Sequence, residues 1–123
     1  MRAIRSTGMK PEMLVRQLTY SLGYRYRLHR KELPGKPDLV FGPRSKVIFV
    51  HGCFWHQHVR CIDGKMPKSN LGYWQTKLTR NVARDAEHLT SLKALGWKSL
   101  VIWECETKDL SRLTKKIRRF LGD

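Results

Sequence analysis

Histidines and cysteines crowd the stretch from His51 to Cys61, and their spacing invites two kinds of chemistry. Cys53-x4-His58-x2-Cys61 offers sulfur and nitrogen donors at close range, and Cys105 is available from far along the chain. Zinc takes four such ligands in a tetrahedron, commonly a close set in a loop plus a remote anchor. This set uses all three cysteines, whose odd number argues against a disulfide framework. His56 competes with His58, because Cys53-x2-His56 is equally acceptable spacing.

The second kind is phosphodiester hydrolysis. Gly35-Lys36-Pro37-Asp38 precedes an apolar stretch, a turn over Gly42 to Ser45 and a second apolar stretch. That is the skeleton of nucleases in which an aspartate opening one strand, with polar groups on the next, holds Mg2+ at the scissile phosphate. Magnesium prefers oxygen and keeps several waters, so one or two carboxylates suffice. Here the second strand runs into Val50-His51-Gly52, which sets a histidine where such nucleases carry lysine. Glu12, Asp38 and Asp85 are the acids that stand beside apolar segments. A histidine takes a proton from water near neutral pH. If His58 goes to the metal, His51 and His56 are left for that work.

Aromatic residues complete the candidate site. Phe54-Trp55 has His, Gln and Cys for neighbours, which suits core packing poorly, and Tyr73-Trp74 opens a long helical pattern. Such side chains wedge into a base step or stack on unpaired bases. Trp97 and Trp103 read instead as core residues.

The elements that must position these groups are legible from periodicity. Residues 11–22 read as a helix, with Pro11 at its first position, Leu14, Leu18 and Leu22 at spacing four, and Gly23 after it. Tyr24, Tyr26 and Leu28 alternate with Arg25 and Arg27, which predicts a strand. Asp38 to Phe41, Val47 to Val50 and Ser99 to Trp103 predict three more, the last two buried on both faces. Trp74, Leu78, Val82, Ala86, Leu89 and Leu92 mark a long amphipathic helix ending at Gly96. Leu110, Leu113, Ile117 and Leu121 mark a final one. The order α-β-β-β-α-β-α predicts one α/β domain over residues 1–123, a small mixed sheet flanked by helices.

Composition narrows the partner. The 123 residues carry 25 Lys plus Arg against 10 Asp plus Glu, a net charge of +15 spread along the chain, so a polyanion is the expected partner. No apolar run approaches the roughly 18 residues of a membrane span, and the opening Met1 to Lys10 has no secretory pattern. A cytoplasmic protein with no membrane partner is expected.

These residues resemble the very-short-patch repair (Vsr) mismatch endonucleases. The likeness is carried by His51-Gly-Cys-Phe-Trp-His56, by Gly35-Lys-Pro-Asp38 before it, and by Asn81-Val-Ala-Arg-Asp85 and Trp103-Glu-Cys105 after it. It runs from Met1-Arg-Ala-Ile4 to Cys105. The resemblance implies a restriction-endonuclease-like fold, a structural Zn2+ and a Mg2+-dependent nick 5′ of the T in a T·G mismatch. Such mispairs arise when 5-methylcytosine deaminates. Residue by residue, it implies Asp38 as the magnesium ligand and Glu12 as a first-helix acid of the active site. It implies His56 as the water-activating base, His51 near the scissile phosphate and Asp85 as their supporting acid. The zinc ligands become Cys53, His58, Cys61 and Cys105. Phe54, Trp55 and Trp74 become the mismatch wedge, and Met1 and Ile4 part of a minor-groove segment.

Three departures stand out. Family members carry more residues before the Met1-Arg-Ala-Ile4 string, so a shortened N-terminal clamp is expected. Val50 stands where threonine is common, which leaves a carbonyl but no hydroxyl. The interval from His58 to Cys61 is one residue longer than the family pattern. A nick needs one active site, so a monomer is expected, with other mismatch-repair proteins as candidate partners. Two readings compete: a Vsr-like nuclease of a restriction or mobile-element system that needs no mismatch, and a non-catalytic zinc-stabilised DNA-binding module.

Overall fold

The computed structural model describes residues 10–28, 30–58 and 69–122. Helix α1 spans Pro11–Ser21. Strands β1, Leu39–Phe41, and β2, Lys46–His51, follow, joined by a single 3-10 turn over Gly42–Arg44. Helix α2, Leu71–Ala94, leads to β3, Lys98–Trp103. A second 3-10 turn, Glu104–Lys108, precedes α3, Leu110–Leu121.

The sheet order is β1-β2-β3, with β1 antiparallel and β3 parallel to the central β2. Alternation along the strands sorts the apolar side chains into two cores. Leu39, Phe41, Ile48 and Ile102 face α1 and α3, where Val15, Leu18, Leu113, Ile117 and Leu121 cover them. Val40, Val47 and Phe49 face the other way, toward Leu92 of α2, with Leu89 and Trp97 packed alongside. The result is a three-layer α/β arrangement. The period of two carries His51, two residues beyond Phe49, onto the α2 side, at the carboxyl end of β2. In parallel register His51 lies opposite Trp103 at the end of β3.

The predicted strand over Tyr24 to Leu28 does not form: only Arg27 pairs, as an isolated bridge to Val40. The described order is therefore α-β-β-α-β-α. The alternation there has another cause. Tyr24 is buried in the α1–α3 core. The Tyr26 hydroxyl donates to the Arg16 carbonyl at 3.0 Å, and its ring meets Phe41 edge-on. These tyrosines tie the segment to α1 and β1 through side chains, and the backbone ladder is confined to one residue.

Candidate active site and metal centre

At the carboxyl ends of β2 and β3 lies a cavity of about 360 Å3. Asp38 enters it from the start of β1, His51 from the end of β2, His56 from the following loop and Asp85 from α2. Local pairing fixes each of them. The Asp38 N–H donates to the Ile48 carbonyl, and the Val50 N–H donates to Asp38 Oδ2 at 2.7 Å. The carboxylate is thus anchored across the strand pair, just where β1 begins.

His51 is only 7% exposed. Its ring stacks parallel on His56, centroids 3.8 Å apart and planes 7° apart, and meets the ring of Trp103 edge-on. Burial, then the adjacent His56, push the His51 ring down to about 4, against the opposing pull of Asp85. His51 is therefore neutral at pH 7. His56 Nδ1 lies 2.5 Å from Asp85 Oδ2. A carboxylate only accepts, so Nδ1 donates, and in the neutral ring Nε2 keeps its lone pair. That is the tautomer a general base requires.

The loop also folds on itself. The His56 N–H donates to the Gly52 carbonyl and the His58 N–H to the Cys53 carbonyl, which turns alternate side chains to opposite sides. His56 goes to the cavity. His58 goes to Cys53 and Cys105, its Nδ1 lying 3.7 and 3.4 Å from their Sγ atoms. In a zinc tetrahedron with the usual Zn–S and Zn–N lengths, the S···N edge is about 3.6 Å. Both S···N separations thus match the edges of such a site. Cys53 is fully buried. Two thiols and an imidazole are a donor set that suits zinc, and between the two candidate histidines the geometry selects His58 for this cluster. Cys61, Met1 and Ile4 lie outside the described residues.

Phe54, Trp55 and Trp74 come together as expected, in mutual edge-on or tilted contacts with centroids 5.1 to 5.8 Å apart. Tyr73 joins them, and Trp55 and Tyr73 are exposed. Lys77 Nζ stands over the Trp55 ring at 5.4 Å. The Asn81 side-chain amide donates to the Trp55 carbonyl and also lines the cavity, so the aromatic cluster adjoins it through one residue of α2.

Glu12 does not join the cavity: its carboxylate lies 3.7 Å from Arg16 on its own helix. Trp103 is not the core residue that the sequence suggests. It stacks parallel on His58 at 4.2 Å and presents its ring edge-on to His51, a shared wall between the two clusters. Its position one residue before Glu104-Cys105 is the signal that could have found it. Lys36, Arg84 and His88 line the cavity as well. Spacing along α2 could have found the last two, since Asn81, Arg84, Asp85 and His88 repeat at three and four.

A carboxylate at a strand start, a histidine hydrogen-bonded to a second acid, and a net charge of +15 suit a hydrolase acting on a polyanion. The comparisons make this specific. The family model described as DNA mismatch endonuclease Vsr matches residues 1–62. The DNA mismatch endonuclease Vsr of Escherichia coli (strain K12) is 38% identical over 114 residues, covering 93% of this chain and 72% of that protein. The Type II nicking enzyme V.XorIIP of Xanthomonas oryzae pv. oryzae is 50% identical over 98% of this chain and 88% of its own length. The Type II nicking enzyme V.NmeAIP of Neisseria meningitidis serogroup A is 41% identical over 100% of this chain and 87% of its own. The chain belongs to the Vsr family and is a DNA endonuclease.

Proposed function

We propose that this endonuclease, a single restriction-endonuclease-like domain acting as a monomer, nicks one strand of duplex DNA 5′ of the T in a T·G mismatch. The observation that carries the reading is the His56–Asp85 pair, set in one cavity with Asp38 and adjoining an exposed aromatic cluster. His56 Nε2 takes a proton from water as its oxygen attacks the scissile phosphorus. The bond to the leaving sugar oxygen breaks, and that oxygen ends protonated. Asp85 stabilises the imidazolium that forms. Neutral His51, stacked on it, adds no second charge. Asp38, with the Val50 carbonyl at the same strand end, would hold Mg2+; the hard carboxylate suits that ion, and one or two carboxylates are all it needs. An ion held there would supply electrostatic stabilisation of the charge that builds on the phosphate. Glu12 does not line this cavity and would reach the ion through intervening water.

Cys53, His58 and Cys105, with Cys61 as fourth ligand, would hold a structural Zn2+ that pins the loop carrying His56. Phe54, Trp55 and Trp74 would open the mispaired step, which costs least where pairing is already poor. Met1 and Ile4 would approach from the minor groove. The charge of +15 predicts affinity that falls steeply with salt. Among the described residues no helix is long and apolar enough to cross a membrane. A cytoplasmic, nucleoid-associated enzyme that cooperates with other mismatch-repair proteins agrees with this reading.

The relatives described as Type II nicking enzymes favour a second reading, a nick at a restriction-system target without a mismatch. One experiment separates the two. Labelled duplexes with a T·G mispair or the matched pair are incubated with Mg2+, with EDTA as control. A cut beside the mispaired T alone supports the repair reading, and equal cutting of both duplexes supports the second. Asp38→Ala should abolish the cut and spare binding; binding without cutting by the unaltered protein would sink both.

A further inference from the structure

One side of the catalytic cavity is unused by this hydrolysis. Lys36, Arg84 and His88 line it together with the catalytic groups. Among the described residues no carboxylate pairs with any of the three. Arg84 and His88 are four apart on α2, on the face that also carries Asp85. Lys36 comes from the opposite wall, two residues before Asp38.

The backbone there is built to a purpose. Gly35 has φ +78°, and Lys36, though not a glycine, has φ +48°. A left-handed lysine costs on the order of 1 kcal/mol and persists only where its surroundings impose it. His88 abuts the neighbouring residue of this turn: a Cβ placed on Gly35 would stand 3.0 Å from His88 Cβ, Cγ and Nδ1. The loop is thus seated directly on the His88 ring, which fixes Lys36 relative to α2.

Two permanent cations and an imidazole lining one cavity suit an anion. The scissile phosphate is accounted for by Asp38 and the histidines, yet the cavity of about 360 Å3 admits more of the strand than one phosphate. We propose that Lys36, Arg84 and His88 form a second phosphate subsite, which takes the phosphodiester next to the scissile one on the cleaved strand. Its work is positioning: it fixes the strand on both sides of the reacting bond, so that the scissile phosphate meets His56 in line. Arginine and lysine suit this because their charge persists at every working pH. The inference rests on the reading of Asp38, His56 and Asp85 as the scissile-phosphate site.

The test pairs protein variants with substrate variants. Duplexes carry one uncharged methylphosphonate, at the first phosphate on either side of the cleaved bond. Lys36→Ala and Arg84→Ala remove exposed side chains, and His88→Gln keeps a donor and most of the packing. On the unmodified duplex each alanine variant should slow single-turnover cleavage about ten- to hundredfold, the worth of a charged hydrogen bond. The methylphosphonate at one flanking position should slow the wild type similarly. The two losses should not add: on that duplex, wild type and variant should agree within about threefold. Arg119→Ala on α3, outside the cavity, should show no such coupling. Additive losses at both flanking positions, unchanged rates in the alanine variants, or equal coupling for Arg119→Ala would overturn the subsite. A wild type that binds without cutting would fail the hydrolysis reading instead, and the same coupling read in Kd would still decide the subsite.

Discussion

Replacing Asp85 with Asn tests the catalytic geometry at its narrowest point. The carboxylate does two things for His56: it accepts the Nδ1 proton across 2.5 Å, and it carries the charge that an imidazolium needs nearby. Asparagine keeps the shape. If its amide oxygen faces His56, the tautomer survives and only the charge is lost. A charge-assisted hydrogen bond is worth about twice a neutral one, a difference of roughly 1.5 kcal/mol, or about tenfold in rate. If its amide nitrogen faces His56, Nδ1 must accept, the proton moves to Nε2, and the base is lost. General-base catalysis contributes about 10²- to 10⁴-fold, so that is the upper range of the loss. The assay is single-turnover cleavage at saturating DNA and pH 7, with Kd measured alongside. DNA binding should hold or tighten, because a negative charge leaves a cavity that receives phosphate. A rate within about twofold of wild type, or a loss of binding that accounts for the whole effect, would refute the role given to the pair.

Further expectations follow from the same geometry. Purified protein should carry one zinc per chain by elemental analysis, and Cys105→Ser should lose it together with thermal stability. A metal-free protein whose melting is unaffected by that substitution would remove the zinc site. Trp103→Leu should retain zinc and DNA affinity but cut more slowly by about tenfold or more, because His51 and His58 lose their shared wall; Trp103→Phe should recover most of the rate. Gly35→Ala meets both a left-handed backbone and the His88 ring, so it should destabilise by about 1 to 3 kcal/mol, seen as a lowered Tm. His51 is lowered to about 4 in the fold from an unfolded value near 6.5. The unfolded chain therefore binds more protons between those pH values, and His51's contribution, complete above 6.5, is lost as pH falls toward 4. The loss is up to about 3 kcal/mol, and a His51→Asn variant should show a shallower acid limb in denaturant titrations.

Much of the framework was legible because it follows period. Leu14, Val15 and Leu18 place α1, and the runs Val47 to Val50 and Ser99 to Trp103 place the two parallel strands, within a residue or two of what the structure shows. The failure at Tyr24 to Leu28 has a physical origin. Alternation reports which side chains are buried, and here burial comes from tyrosines docked on α1 and β1 with a single ladder pair at Arg27. The site was legible in part because its residue types are costly to place without a use. Spacing left His56 and His58 interchangeable, and only the turn between Gly52 and His58, which directs them to opposite sides, separates them. Trp103 was misread because a tryptophan at a strand end looks like core until its neighbours prove to be histidines. Lys36 and His88 were invisible as a pair, since a left-handed lysine in a turn seated on a histidine 52 residues further along leaves no local pattern.

Helix α2 buries only Leu78 and Leu92 over its 24 residues. Fold stability therefore depends on few of its positions, while its outward side chains reach both the aromatic cluster and the cavity. Evolution can rewrite that surface without unfolding the protein beneath it. A lineage of such nucleases can acquire new target preferences by drift along one helix, and a designer seeking a nick at a different sequence would begin there and leave the sheet untouched.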